Sequence, residues 1–476
     1  MPTQVPFLRP RPSPRGVSPT CIAIVLASLA VAVFSLSAIT LSFANAASPR
    51  RGATASPRLT SDLTGGAPVR DGQRLHLVAD IGNIVIHTQD SGKLDYRVHL
   101  ETDASQAHAK ELLKRFSVNI AETSDGVFLR GRTIGRPLGG RLWVTFDVNV
   151  PKDFNLDVST GGGSIQVEDL HGRLILTTAG GNLTTGNVSG SAHLETDGGH
   201  IIVKNVGGDL SAVTGGGHIT AGDVAGNAML HTTGGHIHVS SVGGTARFET
   251  GGGNVALEHA AADLIAETGG GQIEVGETAG IVRAKTGGGG IRVVHVTGPA
   301  NLQTDSGSIY LTQVDSAVHA STEAGGITAW FVSPSDVHHI CELQSGDGDI
   351  VVYLSPELPV TIDAQVQLAD RHRVIVDPAF PLKVSYQDSA DGSRTVRAEG
   401  ALNGGGEVLR LRTLAGNIHL IACDVAKHSQ MYKQQMGQIE QQVQLYQHEM
   451  EQLQQQMQLQ MRIADPQALQ QQGSQK

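Results

Sequence analysis

The sequence predicts an all-β chain: a single-stranded β-solenoid (β-helix) with 18-residue coils, plus a C-terminal α-helical coiled-coil segment. Three observations predict it. Ten glycines recur every 18 positions, at Gly163, Gly181, Gly199, Gly217, Gly235, Gly253, Gly271, Gly289, Gly307 and Gly325. A threonine stands three residues before each, from Thr160 to Thr322, and an aliphatic residue two after each, from Ile165 to Ile327. Beyond Asp424 this pattern stops, and a glutamine-rich stretch with apolar residues alternately four and three apart begins. A fixed period of this kind marks a repeat array, whose units bury their apolar sides only by stacking.

The chain opens with Arg9, Arg11 and Arg15 and no acid before an apolar run from Ile22 to Leu41. Ala44-Asn45-Ala46 then has the small-x-small form of a signal-peptidase site. Residues 1–46 therefore read as a signal peptide or an N-terminal membrane anchor. The run is long for a signal core and just spans a bilayer at 22–41, while Arg50, Arg51 and Arg58 blur the charge asymmetry that orients anchors. Cys21 has no leucine-rich lipidation context. Residues 47–72, rich in Pro, Ser, Gly, Thr and Arg, read as a flexible linker.

The solenoid is expected over 73–423, with regular coils over 160–330. Counting each aliphatic residue as position 0, positions +2 and +5 are mostly Val or Leu, and +9 and +11 are apolar, as in Leu174 with Leu176 or Ala246 with Phe248. Position +13 is the threonine. These period-two runs read as short strands with one face inward. Glycines near +7 and +14 to +16 read as corners, where positive φ or close approach of the next coil excludes a side chain. Coils hydrogen-bonded about 4.8 Å apart would make ten of them a rod of about 48 Å. The threonine column shares the inward parity, so its hydroxyls should bond one another or the corner backbone. That parity argues against an ice-binding threonine surface.

Fragments of the pattern recur at Gly82-Asn83-Ile84, Gly348-Asp349-Ile350 and Thr413-Leu414-Ala415-Gly416-Asn417-Ile418. Cys341 and Cys423 fall at inward positions of that frame and read as buried free thiols, although an oxidising compartment would permit their pairing. Before the repeats, Leu142 to Val150 alternates as a strand, and Ala109, Leu112 and Phe116 have helical spacing. More short strands and turns are expected over 355–410.

Residues 424–476 hold 19 glutamines. Tyr432, Ile439, Tyr446 and Leu453 at d, with Met436, Val443, Met450 and Met457 at a, form a heptad seam. A lone helix would expose that stripe, so it calls for a partner helix and possible self-association through 424–476. Glutamines at e and g leave the partner unspecified by charge.

The chemistry of the solenoid is sparse. His200, His218 and His236 occupy one column just before the aliphatic residue, with His238 outward on the same strand as Ile237. Stacked imidazoles are candidate ligands for Zn²⁺, Cu²⁺ or Ni²⁺. The column also holds Ser164, Asn182, Asn254, Gln272 and Ser308, as a solvated polar row would. Calcium-roll chemistry would need an aspartate column, and Asp197 and Asp305 are isolated at corners. Glu249 and Glu267 stack in one outward column, with Glu195 and Lys285 further along, but nothing gives them a cleft or a catalytic partner. No catalytic, cofactor or metal site is assigned, and no cofactor is expected.

Composition limits the rest. The chain has 476 residues, of which 59 are glycine and only 4% aromatic, so the core must be small and aliphatic. Eighteen prolines and no three-residue glycine period exclude collagen. A net charge of −10 argues against coating nucleic acid, and cleavage after Ala46 would leave 32 basic against 45 acidic residues.

Three stretches carry a family likeness. Val150-Pro151-Lys152-Asp153-Phe154-Asn155-Leu156 leads into Thr160-Gly161-Gly162-Gly163-Ser164-Ile165, the Gly-x-Ile coil repeats, and Leu402-Asn403-Gly404-Gly405-Gly406 precedes Leu411 to Leu420. Over roughly 75–423 the chain resembles a bacterial family of exported, Gly-rich β-solenoids labelled putative adhesins, a domain of unknown function. The resemblance implies an envelope or surface solenoid without known catalysis, in the periplasm, on the outer surface or membrane-anchored. The expectation is a non-enzymatic adhesin or scaffold. The alternative is a membrane-tethered sensory or regulatory ectodomain, and a carbohydrate-active enzyme is the weakest reading.

Overall fold

A computed structural model describes residues 59–135, 140–332, 339–368, 372–388 and 393–424, and in the C-terminal segment 426, 429–430, 432–439, 441, 444–445, 448, 452 and 455. The leader with its apolar run 22–41, Cys21, and seam positions Val443, Tyr446, Met450, Leu453 and Met457 lie outside the described residues.

Each regular coil contributes two strands. The first, such as Ile219–Val224, covers positions 0 to +5, and the second, such as Ala228–Thr232, covers +9 to +13. Every strand pairs in parallel with its counterpart one coil away and without slip: Ile219 faces Ile237, and Ala228 faces Ala246. The result, among the described residues, is two long sheets of 17 and 18 strands, the first and second faces. Positions 0, +2, +5, +9, +11 and +13 are buried, as Ile219, Ala221, Val224, Ala228, Leu230 and Thr232 show. One narrow aliphatic core runs the length of the stack, which is why few aromatic residues suffice.

The stack outruns the regular repeat, and its ends depart from chain order. The coil of Arg74–Ala79 and Asn83–Gln89 is inserted between the coil of Gly126–Thr133 and Leu142–Pro151 and that of Asn155–Thr160 and Ile165–Val167. At the other end, Val408–Thr413 and Ile418–Ala422 slot between Cys341–Ser345 with Ile350–Leu354 and Val360–Val366 with Val374–Val376. The fragments legible in the sequence are thus true coils. Ile84 faces Ile165, Ile350 faces Ile327, and Ile418 faces Ile350.

Antiparallel strands close both ends. Leu59–Pro68 pairs with Lys93–Thr102, and Phe116–Glu122 with Gly126–Thr133. At the far end Arg394–Leu402 pairs with Val360–Val366, and Lys383–Asp388 lies outermost. Leu59–Pro68 falls inside the stretch read as a linker. Its ten-residue ladder with Lys93–Thr102 recruits a Gly/Thr-rich segment that carries no apolar signal of its own. The expected helix forms over Gln106–Lys114 and buries Ala109 and Leu112, whereas Phe116 opens the next strand. The Asn-Gly-Gly-Gly segment reverses the chain: Asn403, Gly404 and Gly405 have φ of 49°, 88° and 79°. The Asn403 amide fixes this turn by donating to the Pro356 carbonyl at 2.6 Å. Cys341 and Cys423 are both buried, as expected. Cys423 packs with Trp330 and Val332 in a small cluster apart from the main core.

The tail departs most from expectation. Residues 432–439 are helical, but the three described seam residues meet the solenoid. Ile439 is buried against Val294, with Tyr432 and Met436 beside it. The Tyr432 hydroxyl donates to Glu277 Oε1 at 2.5 Å, Thr312 Oγ1 donates to Gln435 Oε1 at 2.7 Å, and Arg292 donates to Gln438 Oε1 at 2.7 Å. An apolar residue at outward position +3, Val294, gives the stripe a surface that the coil pattern assigned to solvent.

Candidate functional site

The corner preceding each first-face strand holds the densest polar array. The threonine hydroxyl donates to the glycine carbonyl of the preceding coil and accepts the N–H of its own coil's glycine. Thr232 Oγ1 donates to the Gly217 carbonyl at 2.8 Å and accepts from the Gly235 amide at 3.1 Å. Of the two partners open to the threonine column, the structure selects the corner backbone. Each hydroxyl thereby satisfies two buried groups that no sheet ladder reaches.

His200, His218 and His236 stack as their shared column requires, with ring centroids 5.0 and 4.8 Å apart. The His200 Nδ1 accepts the His218 amide at 3.0 Å, His218 Nδ1 the His236 amide at 2.8 Å, and His236 Nδ1 the Asn254 amide at 2.7 Å. Asn182 and Asn254 do the same work through Oδ1, toward His200 and Gln272. An imidazole that accepts at Nδ1 and is neutral carries its proton on Nε2. Both ring nitrogens are then committed, and neither has a lone pair to offer a metal. Among the described residues no three His, Cys, Asp or Glu side chains are grouped to hold an ion. The row is a corner-bonding ladder, which explains why it admits His, Asn and Ser alike. Similar ladders run at +4, from Asp169 to Asn187, and at +8, from Asp209 through Asn227 to Thr245.

Protonating the ladder would put an N–H against an N–H. Burial, together with the flanking imidazoles, lowers the His218 pKa from 6.5 to about 4. A folded pKa below the unfolded one stabilises the fold above about pH 6.5 and loses that stabilisation as pH falls toward 4. His218→Asn should therefore match the native chain at pH 7 and melt less steeply with acid. His218→Leu should lose roughly 1–3 kcal/mol at pH 7 by orphaning the His236 amide. Urea unfolding at pH 7 and pH 4.5 checks both, and equal losses for Asn and Leu would overturn the ladder.

The other sequence candidates stay apart. His238 projects outward yet is buried, and burial holds its pKa down at about 4. Glu249 and Glu267 face one another on adjacent second-face strands. Glu249 is engaged by Arg247 and lies 3.5 Å from His231, and Lys285 stands opposite Glu267. Glu195 sits three coils earlier, and Asp197 and Asp305 are six coils apart. A shallow groove of about 490 Å³ lies over Ile175, His193, Ser211 and Met229, and none of these acids lines it. The sequence reading missed this trough. The signal was Ser211, a small residue between His193 and Met229 in the same outward row.

With the core filled and the corners bonded, the second face presents outward rows at +10 and +12 that take no part in the core. Met229 is 58% exposed there, beside basic and acidic neighbours such as Arg247 and Glu249.

No protein-family model matches the chain, and no curated protein matches it. Solved structures do align with it. A putative cell adhesion protein from Clostridium sporogenes ATCC 15579 is 8% identical, covering 76% of this chain and all of its own, at a TM-score of 0.14. A putative adhesin from Parabacteroides distasonis ATCC 8503 is 10% identical, covering 76% and 97%, at 0.19. A putative adhesin from Bacteroides fragilis NCTC 9343 is 11% identical over the same shares, at 0.16. At these TM-scores the likeness lends no weight to the reading that follows.

Proposed function

We propose that the chain is a non-enzymatic, exported cell-envelope solenoid acting as an adhesin or surface scaffold, with the second face as its ligand-facing side. One observation carries this reading. The second face sets out aligned rows of solvent-facing side chains at a strand spacing of about 4.8 Å, with no role in the core. Such rows suit a long, repetitive ligand better than a single small molecule. Catalysis finds no support in Glu249 and Glu267: Arg247 is ion-paired with Glu249, and Lys285 stands opposite Glu267 in the sheet register. Self-association through 424–476 would have to use residues past Ile439, because the earlier seam is seated on the solenoid.

Protease shaving of intact cells, with opened cells as control, tests the placement. Fragments from 160–330 should be released from intact cells. Release only after the envelope is opened would overturn the surface reading and favour an internal scaffold or a tethered sensor.

A further inference from the structure

Among the described residues, the outermost strand at the C-terminal end of the stack, Lys383–Asp388, pairs only with Arg394–Leu402. All six of its residues are exposed. Val384 is 39% and Tyr386 65% exposed, two residues apart and so on one face of the strand. An open edge of this length templates pairing with another chain unless it is shielded. Other outer strands are shielded. Leu59–Pro68 carries Gly65, Gly66 and Pro68, and Val374–Val376 is three residues long with Pro378 close behind. Phe116–Glu122 has the Gln106–Lys114 helix next to it in the chain, packed at that end. Lys383–Asp388 has no proline and no glycine, and its two charges, Lys383 and Asp388, sit at its ends and leave the apolar pair Val384 and Tyr386 open between them.

We infer that Lys383–Asp388 pairs antiparallel with the same strand of a second copy, joining two solenoids end to end. The occupant follows from self-complementarity. A two-fold axis through Ser385 sets Val384 of each copy across from Tyr386 of the other, giving two aromatic–β-branched pairs on one face. The same register sets Lys383 across from Gln387, so no like charges meet. Asp388 is already held by Arg394 at 2.7 Å and is not left facing the partner uncompensated. The second face would then run unbroken through both molecules.

The register makes a sharp test. Directly opposed residues of antiparallel strands have Cα atoms about 4.5–5.5 Å apart, within disulfide range. The full-length Ser385→Cys chain, oxidised in dilute solution, should give a dimer linked 385 to 385 by mass spectrometry. Ser321→Cys, on a mid-stack strand of the same face, should not cross-link to itself. Adding Val384→Lys and Tyr386→Lys to Ser385→Cys should cut the linked dimer at least tenfold while melting is unchanged. No 385 linkage above the Ser321→Cys background would overturn the inference. So would linkage that survives both lysines, or a wild-type edge that captures extended peptides but not a second copy.

Discussion

Gly235→Ala should unfold the middle of the stack. The glycine column is invariant across ten coils for a reason of packing. Of those ten only Gly163 has positive φ, so left-handed backbone does not explain the rest. A Cβ on Gly235 would instead run into the carbonyl group of Gly217 in the coil below, and the same collision recurs along the column. The corner cannot open to make room, because three bonds hold it shut. Thr232 takes the Gly235 amide, Thr250 bonds the Gly235 carbonyl at 2.7 Å, and His218 takes the His236 amide. Freeing the methyl means breaking most of these in a buried setting, at roughly 1–3 kcal/mol for each group orphaned. The expected loss is thus about 3–6 kcal/mol, read by urea unfolding. Gly234→Ala is the control. Its Cβ would point into open space, and the same position holds Ser306 and Ala324 in other coils. Equal losses for the two variants would refute close packing as the cause of the column.

The coil itself was legible because its constraint is local and repeated. An inward aliphatic, a hydroxyl and a bare glycine must each recur at one offset, and the columns of Ile219, Thr232 and Gly235 do so in all ten regular coils. What was illegible depends on contacts between distant segments. Nothing around Leu59 announces that it pairs with Thr102. The insertion of Ile418–Ala422 beside Ile350–Leu354 is a choice among equivalent coil edges, which periodicity cannot make. The tail misled for a related reason. A 4-3 stripe specifies an apolar neighbour but not its fold, and Val294 supplied one from a sheet. The histidine column was found at once, but its role lay in the direction of Nδ1, which only the neighbouring amide reveals.

Ile219→Asp should split the array rather than merely loosen it. Ile219 is fully buried between Ile201 below and Ile237 above, so a carboxylate there has aliphatic neighbours on both sides along the stack. An unpartnered buried charge costs several kcal/mol even after relaxation. A loss of about 5 kcal/mol would lower the melting temperature by roughly 6 °C for a stack of this size unfolding as one unit. In a one-dimensional stack each coil is stabilised by its two neighbours, so the lesion also exposes the apolar end faces of the coils beside it. Hydrogen exchange should therefore rise first across residues 201–242 and spread outward, while the capped ends keep their protection. Met229→Asp, on the exposed second face of the same coil, should leave both exchange and melting near native values. If Ile219→Asp melted like the native chain, position 0 would not point inward, and the two-faced coil derived from it would fail with it.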